Sequence, residues 1–288
     1  MPNNDKIPAT VRILTLQGGK SLRKALESVK DFDEILVFDG NSTDDTVKIA
    51  KEYGARIEKT YPERNEPNVL IGDWSEVVNR VIKAASYDWL FYIDQDETAS
   101  PGLIQEIGEI VSDSNIKHYI YKVPNKVIHN GKIVEHAISY PGYQPRLFNR
   151  KSGAFYEDTP HYALVYDAKK YPPGITKNPW YVYTEDSDTS PKRHFIILTA
   201  MKDKDQTWWQ FFRWSVFDKL FGILKIIIKA CFIYVRYGFK DSMPPVFVWA
   251  KIEEKLILFW YLMKQRFIGP LKPHTKPPQQ YSVFKNNQ

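Results

Sequence analysis

Asp39 closes a nearly continuous apolar run, Glu34-Ile-Leu-Val-Phe38, and Asp94-Gln-Asp96 closes a second, Trp89-Leu-Phe-Tyr-Ile93. An Asp-x-Asp pair puts two hard oxygen donors on one tight turn, suited to Mg²⁺ or Mn²⁺ bridging a diphosphate. A cation held there neutralises charge developing on a nucleotide diphosphate leaving group. Asp39 by itself suits the N–H edge of a base or a ribose hydroxyl. Either cluster alone also reads as a helix cap or a solvated turn. Their recurrence at equivalent ends of two strands points to a site, because ligands of open α/β sheets bind at the carboxyl ends of the strands. The chain has no G-x-x-x-x-G-K-[ST] and no G-x-G-x-x-G, so P-loop and dinucleotide readings lose support. Gly18-Gly-Lys20 is a weak phosphate-loop signal and equally a simple turn.

The elements that must position these residues alternate between strand and helix. Val11–Leu16 is a short β-branched run, and Ser21–Val29 puts Leu22, Ala25, Leu26 and Val29 on one helix face. The run ending at Phe38 has the pattern of a parallel strand buried on both faces. Asp39-Gly-Asn-Ser-Thr-Asp-Asp45 follows, with Ser42, Thr43 and Asp44 available to cap a helix over Thr46–Tyr53. A strand at Ala55–Ile57, a helix from Trp74 to Ala85, the strand Trp89–Ile93 and a helix from Ser100 to Ser112 continue the series. The expectation is an α/β layered, mostly parallel sheet. Residues 117–185 are richer in Tyr, Val, Pro and Gly and read as antiparallel strands and loops. A polar break at 186–192 suggests two domains, 1–190 and 191–288, the second helical over about 195–238 and 246–267 with a Pro-rich end.

Charge divides the chain in the same place. Residues 191–288 hold 17 Lys/Arg and 6 Asp/Glu, net +11, which leaves a net −5 for residues 1–190 out of the total +6. Five of the eight Trp (Trp208, Trp209, Trp214, Trp249 and Trp260) lie in that basic third, so its partner should be anionic. On an ideal helix Asp218, Lys225, Lys229 and Arg236 fall within about 40° of one another, opposite a wide aliphatic and aromatic arc. Such a helix lies in a lipid headgroup plane or packs its arc on the first domain. Nucleic acid is disfavoured because aliphatics dilute the basic residues. No stretch approaches the roughly 20 apolar residues of a membrane span, and Met1-Pro-Asn-Asn-Asp-Lys lacks a signal-peptide core. One cysteine, Cys231, excludes an intramolecular disulfide and a Cys-based zinc site.

Val11–Ser28, Asp33-Glu-Ile-Leu-Val-Phe-Asp-Gly-Asn-Ser-Thr-Asp-Asp-Thr46, Asn79-Arg80 and Trp89-Leu-Phe-Tyr-Ile-Asp-Gln-Asp-Glu97 together resemble the family 2 glycosyltransferases, over about residues 8–165. Tyr143-Gln-Pro-Arg-Leu-Phe-Asn-Arg150, Tyr156-Glu-Asp-Thr-Pro-His161 and Tyr237-Gly-Phe-Lys-Asp241 are most similar to lipopolysaccharide-core glucosyltransferases. The resemblance implies a GT-A fold followed by C-terminal amphipathic helices. It implies Asp39, Thr15 and Leu16 around the nucleotide, Asp94 at the donor's ribose or phosphate, and Asp96 as metal ligand. Asn79 and Arg80 would help hold the donor, or Arg80 would make an ordinary surface ion pair.

An inverting transfer is a single displacement that needs one carboxylate to deprotonate the acceptor hydroxyl. Within the resemblance Asp158 is the expected base and Glu157 the alternative, or both are loop charges. His161 would be a third metal ligand, a phosphate donor or a structural residue. The chain departs from the family pattern at Thr15-Leu-Gln-Gly18, at His161-Tyr162, and at Gln95, where small residues are common. The expected activity is transfer of a hexose from a nucleotide-diphosphate sugar, UDP-linked, with Mg²⁺ or Mn²⁺. Its acceptor would be a hydroxyl of a lipid-linked or lipopolysaccharide-type molecule at the inner face of the cytoplasmic membrane. Two alternatives are a sugar-1-phosphate nucleotidyltransferase, for which Leu16-Gln-Gly-Gly-Lys20 with Arg23 is a poor match, and a membrane-bound scaffold without catalysis.

Overall fold

The apolar runs become the centre of one twisted sheet. The computed structural model describes residues 6–157, 163–185 and 207–268. Strand β1 (Ile7–Thr15) is followed by α1 (Leu22–Ser28), β2 (Phe32–Asp39), α2 (Thr46–Glu52), β3 (Arg56–Lys59), α3 (Trp74–Ala84) and β4 (Trp89–Asp94). These strands pair in parallel in the order β3-β2-β1-β4. The chain therefore moves outward from β1 to β3 and then returns to the other side of β1. That reversal opens a crevice between the carboxyl ends of β1 and β4, the usual ligand position in such sheets.

Both faces of β1, β2 and β4 are covered, which explains their unbroken apolar character. One face packs Val11, Ile13, Val37, Phe91 and Ile93 against α1 and against α4 (Pro101–Ser112). The other packs Leu14, Leu36, Phe38 and Leu90 against Val77, Val78 and Val81 of α3.

A three-residue strand, β5 (Glu97–Ala99), follows the Asp94–Asp96 turn and was not legible in the sequence. The second half of the sheet is largely antiparallel. Here β6 (Ile120–His129), β8 (Gly142–Asn149) and β12 (Trp180–Thr184) extend the sheet beyond β4, β8 pairing antiparallel with β4 and β6, and β12 with β5. The strand β7 (Lys132–Val134) lies between β6 and β8 in sequence. Two-residue strands β9 (Phe155–Tyr156) and β10 (Leu164–Val165) form a small separate sheet, and β11 (Gly174–Ile175) runs beside β6.

The chain forms two compact units: residues 1–128 with 141–183, and residues 129–140 with 184–288. The linear expectation of one cut at 190 does not separate residues 129–140. They belong with the second unit because Glu135 and His136 donate their amides to the Asp241 carbonyl (2.9 and 3.1 Å), Met243 donates to His136 (2.8 Å), and the His136 ring stacks on Tyr237. The polar break at 186–192 and the Pro-rich end lie outside the described residues. In the second unit a helical turn (Trp208–Phe211) and a π-helical stretch (Phe212–Phe217) lead into α5 (Asp218–Tyr237). Helix α6 (Pro245–Ile268) follows after the turn at Gly238.

Candidate active site

The Asp39 loop is built by close backbone approach. Gly40 lies where a Cβ would come 2.6 Å from the Val69 carbonyl oxygen, so a side chain does not fit. Asn41 then takes a left-handed conformation (φ 56°), and its amide donates to the carbonyls of Arg64 and Glu66 at 3.0 and 2.9 Å. Asp39 is buried and accepts from the Ser42 amide (2.8 Å) and the Ser42 hydroxyl (2.6 Å). Burial pushes its carboxyl above the ordinary value, the two Ser42 bonds oppose this, and the nearby Asp44 adds to the rise.

The sequence offers Ser42, Thr43 and Asp44 as caps of α2. Ser42 and Thr43 hold the loop after β1, and Asp44 serves both that loop and the first residue of α2. The residue before the helix is Asp45, whose side chain makes no capping bond. Gln17 donates its amide to Ser42 Oγ (2.9 Å), and Thr43 donates its amide to Gln17 Oε1 (2.8 Å). Gly18 donates to Thr46 Oγ1 (2.7 Å) and Gly19 to Asp44 Oδ2 (2.9 Å). Asp44 also accepts from the Thr46 amide at 3.1 Å and from the Thr46 hydroxyl. Burial raises the Asp44 carboxyl, but these donors outweigh it and hold the group below its ordinary value. Thr15 and Leu16 thus sit at the end of β1 beside Asp39, with Thr15 in register with it.

The Asp94-Gln-Asp96 turn sits across the crevice. Asp94 is half-buried at the end of β4 and Asp96 is exposed. Behind the turn lies an ion pair that sequence reasoning assigned no role. Glu97 and Arg146 are both buried, and Arg146 grips the carboxylate with two donors, Nη1 on Oε2 and Nη2 on Oε1. Glu97 Oε1 also accepts from the Trp180 indole (3.1 Å), and Oε2 accepts from the Asp94 amide (3.0 Å). The Arg146 guanidinium lies 4.0 Å from the Trp180 ring centre and 4.6 Å from that of Tyr92, and Arg12 lies 4.5 Å over Tyr92. Burial raises the Glu97 carboxyl, and the adjacent guanidinium opposes the rise. The one available signal was that Glu97 and Arg146 both stand in segments that carry the family resemblance, Trp89–Glu97 and Tyr143–Arg150.

Asn79 and Arg80, expected on the donor, meet backbone. Both ends of the Asn79 carboxamide bond the Tyr156 main chain, Nδ2 donating to O and Oδ1 accepting from N, each at 2.8 Å. Helix α3 thereby templates β9 and fixes where Glu157 begins. The Tyr92 and Tyr156 rings meet edge-on at 6.3 Å, which sets β9 against β4 two residues short of Asp94. Arg80 donates to the carbonyls of Lys59 (2.7 Å) and Thr60 and covers the Phe38 ring at 5.3 Å. Among the described residues Arg80 makes no ion pair, so the surface salt bridge expected as its alternative role is not formed there. Glu157 is exposed, with its amide 3.4 Å from the Ala163 carbonyl. Asp158 and His161 lie outside the described residues.

Among the described residues no three His, Cys, Asp or Glu side chains are grouped to hold a metal. Asp94 and Asp96 on one turn do fit a hard divalent cation of the Mg²⁺ type, which takes one or two carboxylates and completes its shell with water and substrate phosphate. Among the described residues no helix is long and apolar enough to cross a membrane.

Among curated proteins, the chain is 30% identical over 163 residues to an uncharacterized glycosyltransferase of Rickettsia prowazekii (strain Madrid E), covering 54% of this chain and 52% of the relative. It is 29% identical over 159 residues to the glycosyltransferase SunS of Bacillus phage SPbeta, covering 48% of this chain and 36% of the relative. The matched segments thus span about half or less of these relatives. Among solved structures, S. aureus TarS 1-349 in complex with UDP-GlcNAc aligns with a TM-score of 0.46 at 14% identity, over 90% of this chain and 91% of that one. Glucosyl-3-phosphoglycerate synthase from Mycobacterium tuberculosis, in complex with Mn²⁺, UDP and glucosyl-3-phosphoglycerate, aligns with a TM-score of 0.31 at 23% identity, over 43% of this chain and 44% of that one. The profile of Glycosyl transferase family 2 matches residues 10–171. With its α/β sheet of GT-A type, its acidic strand ends at the β1–β4 crevice and a profile match across more than half its length, the chain belongs to glycosyltransferase family 2.

Proposed function

We propose that the chain transfers a hexose, with inversion, from a UDP-linked sugar to a hydroxyl of a lipid-linked or lipopolysaccharide-type acceptor at the inner face of the cytoplasmic membrane. The observation that carries this reading is the convergence of Thr15, Leu16, Asp39 and the Asp94–Asp96 turn on the carboxyl ends of β1, β2 and β4. Asp39 accepts from the base or ribose, and Thr15 and Leu16 wall the same side. Arg80 acts on the donor side through the Lys59–Thr60 backbone that bonds Asp39, and Asn79 acts through Tyr156 on the segment that leads to Glu157. Asp94 and Asp96 would hold Mg²⁺ or Mn²⁺, with His161 as a further candidate, and that cation supplies charge neutralisation on the leaving diphosphate. Asp158, or Glu157 in its place, removes the acceptor proton on the face opposite the leaving group.

The membrane part of the reading rests on α5. Phe217, just before the helix, and Leu220, Phe221, Leu224, Ile227, Ile228, Phe232 and Val235 are exposed, whereas Ala230 and Ile233 are its buried residues. An exposed apolar arc with Lys225, Lys229 and Arg236 suits an anionic lipid surface.

The test is UDP release from UDP-hexoses by the full chain with Mn²⁺, with and without acceptor lipid. Asp96→Asn abolishes metal-dependent turnover with the fold intact, and activity within about twofold of wild type refutes the metal assignment. Asp158→Asn lowers transfer by about 10²–10⁴-fold at unchanged donor affinity, while Glu157→Gln costs much less. The reverse ranking moves the base by one residue. Phe221→Glu with Ile228→Glu lowers sedimentation with anionic vesicles, and equal sedimentation refutes the membrane role.

A further inference from the structure

The middle residue of the Asp-x-Asp turn does more than space the two carboxylates. The parallel pairing of β1 with β4 runs from Thr10–Leu90 to Leu14–Asp94 and stops there. One step further, the Gln95 side chain reaches back across the crevice. Its Oε1 accepts from the Thr15 hydroxyl (2.5 Å) and the Leu16 amide (3.1 Å), and its Nε2 donates to the Leu16 carbonyl (3.3 Å). The carboxamide presents a C=O and an N–H to the backbone of Leu16, as a neighbouring strand's peptide would, and so adds one rung to the ladder. The next residue, Gln17, turns left-handed (φ 51°). At Gly18 an added Cβ would lie 2.7 Å from both Gln95 Oε1 and Thr15 Oγ1, so the absence of a side chain there makes room for the bridge. Gly18 in turn bonds Thr46, the first residue of α2 after the Asp39 loop.

We propose that Gln95 is a positioning residue that couples the two halves of the donor site. It ties the β1 end, which stands beside Asp39, to the turn that carries Asp94 and Asp96. Metal binding at the turn then fixes Leu16, and nucleotide binding beside Leu16 fixes the turn, since coupling between two sites is reciprocal. This rests on the donor reading above, with UDP and a divalent cation as the two ligands.

The experiment uses the full chain with UDP and Mn²⁺ as probes, in three variants: Gln95→Ala, Gly18→Ala and the double variant. Calorimetric titration gives UDP affinity with and without saturating Mn²⁺. Hydrogen exchange follows the peptide containing Leu16 in the absence of any ligand. In Gln95→Ala the enhancement of UDP affinity by Mn²⁺ falls about tenfold, the scale of losing two or three ordinary hydrogen bonds in part. UDP affinity without metal changes by less than about threefold, and the Leu16 peptide exchanges faster. Gly18→Ala reproduces this signature, and adding it to Gln95→Ala changes the coupling by less than about twofold, because both act on one bridge. A merely structural role predicts instead equal losses with and without Mn²⁺, and that outcome overturns the proposal. Unchanged exchange at Leu16 in Gln95→Ala overturns it as well, even where donor binding is intact. Wild-type protein that binds neither UDP nor Mn²⁺ refutes the donor reading and the coupling with it.

Discussion

Removing the Glu97 carboxylate leaves the Arg146 guanidinium buried without its anion. The side chains are 8% and 4% exposed, so neither can turn to water without rearranging β4, β5, β8 and β12. A charge abandoned in that way costs about 3–5 kcal/mol. Glu97→Ala also frees the Trp180 indole and the Asp94 amide, which places it at the upper end of that range. For a unit of this size, about 2–4 °C is lost per kcal/mol, so the thermal midpoint drops by about 6–20 °C. The double variant Glu97→Leu with Arg146→Met replaces the pair by apolar groups of similar volume. It recovers most of the lost stability, because the pair's attraction roughly offsets its desolvation. It does not recover activity, since the Asp94 amide still lacks its acceptor and the turn is no longer held. The assay is thermal unfolding of the three variants by circular dichroism beside Mn²⁺-dependent UDP release. A midpoint change below about 2 °C for Glu97→Ala, or a double variant no more stable than the single, refutes the buried-pair reasoning. A stable and fully active double variant refutes the link from Glu97 to Asp94.

Asp39→Asn separates stability from function: with the carboxyl raised by burial, the ionised group costs stability as pH rises through its folded value, so the variant is at least as stable as wild type at pH 7. It nevertheless loses UDP affinity; a clear drop in thermal midpoint contradicts the burial argument, and unchanged affinity contradicts the binding role. Asp44 has the opposite sign, because its lowered value gives stability that is present above the ordinary carboxyl range and lost as pH falls through the folded value. Asp44→Asn therefore flattens the acid limb of a stability-against-pH curve, and an unchanged limb refutes this. Asn79→Ala removes two bonds to the Tyr156 backbone and costs about 1–3 kcal/mol, with transfer to acceptor falling more than donor hydrolysis; equal loss of both activities counts against a role in placing the Glu157–Asp158 segment. Gly40→Ala forces its new methyl against the Val69 carbonyl and costs about 1–3 kcal/mol with weaker UDP binding, and a neutral effect in denaturant unfolding refutes the close approach.

Local patterns were enough to locate the longer elements of the first half and the edge where the chemistry gathers. Apolar runs ending at Phe38 and Ile93 read as inner strands buried on both faces of an α/β sheet, and the acidic residues immediately after strands that run parallel emerge at the same edge. Helical periodicity placed α1, α3 and α4 to within a residue or two, and it gave α5 an apolar arc whose exposure only the structure shows. Which polar groups meet follows only from the assembled sheet. Ser42 serves the loop after β1, and Asp44 is shared between that loop and the start of α2, because the amides of Gln17 and Gly19 come within reach of them only at the assembled sheet edge. Asn79 holds Tyr156 and Gln95 holds Thr15 across separations of 77 and 80 residues, and Glu97 meets Arg146 and Trp180 across 49 and 83. Strands of two or three residues, such as β5 and β9, are too short to show a period. A local pattern reports burial, because each residue's polarity is matched to its own surroundings. A hydrogen-bond partner is set by strand order and register, which exist only once the sheet has assembled.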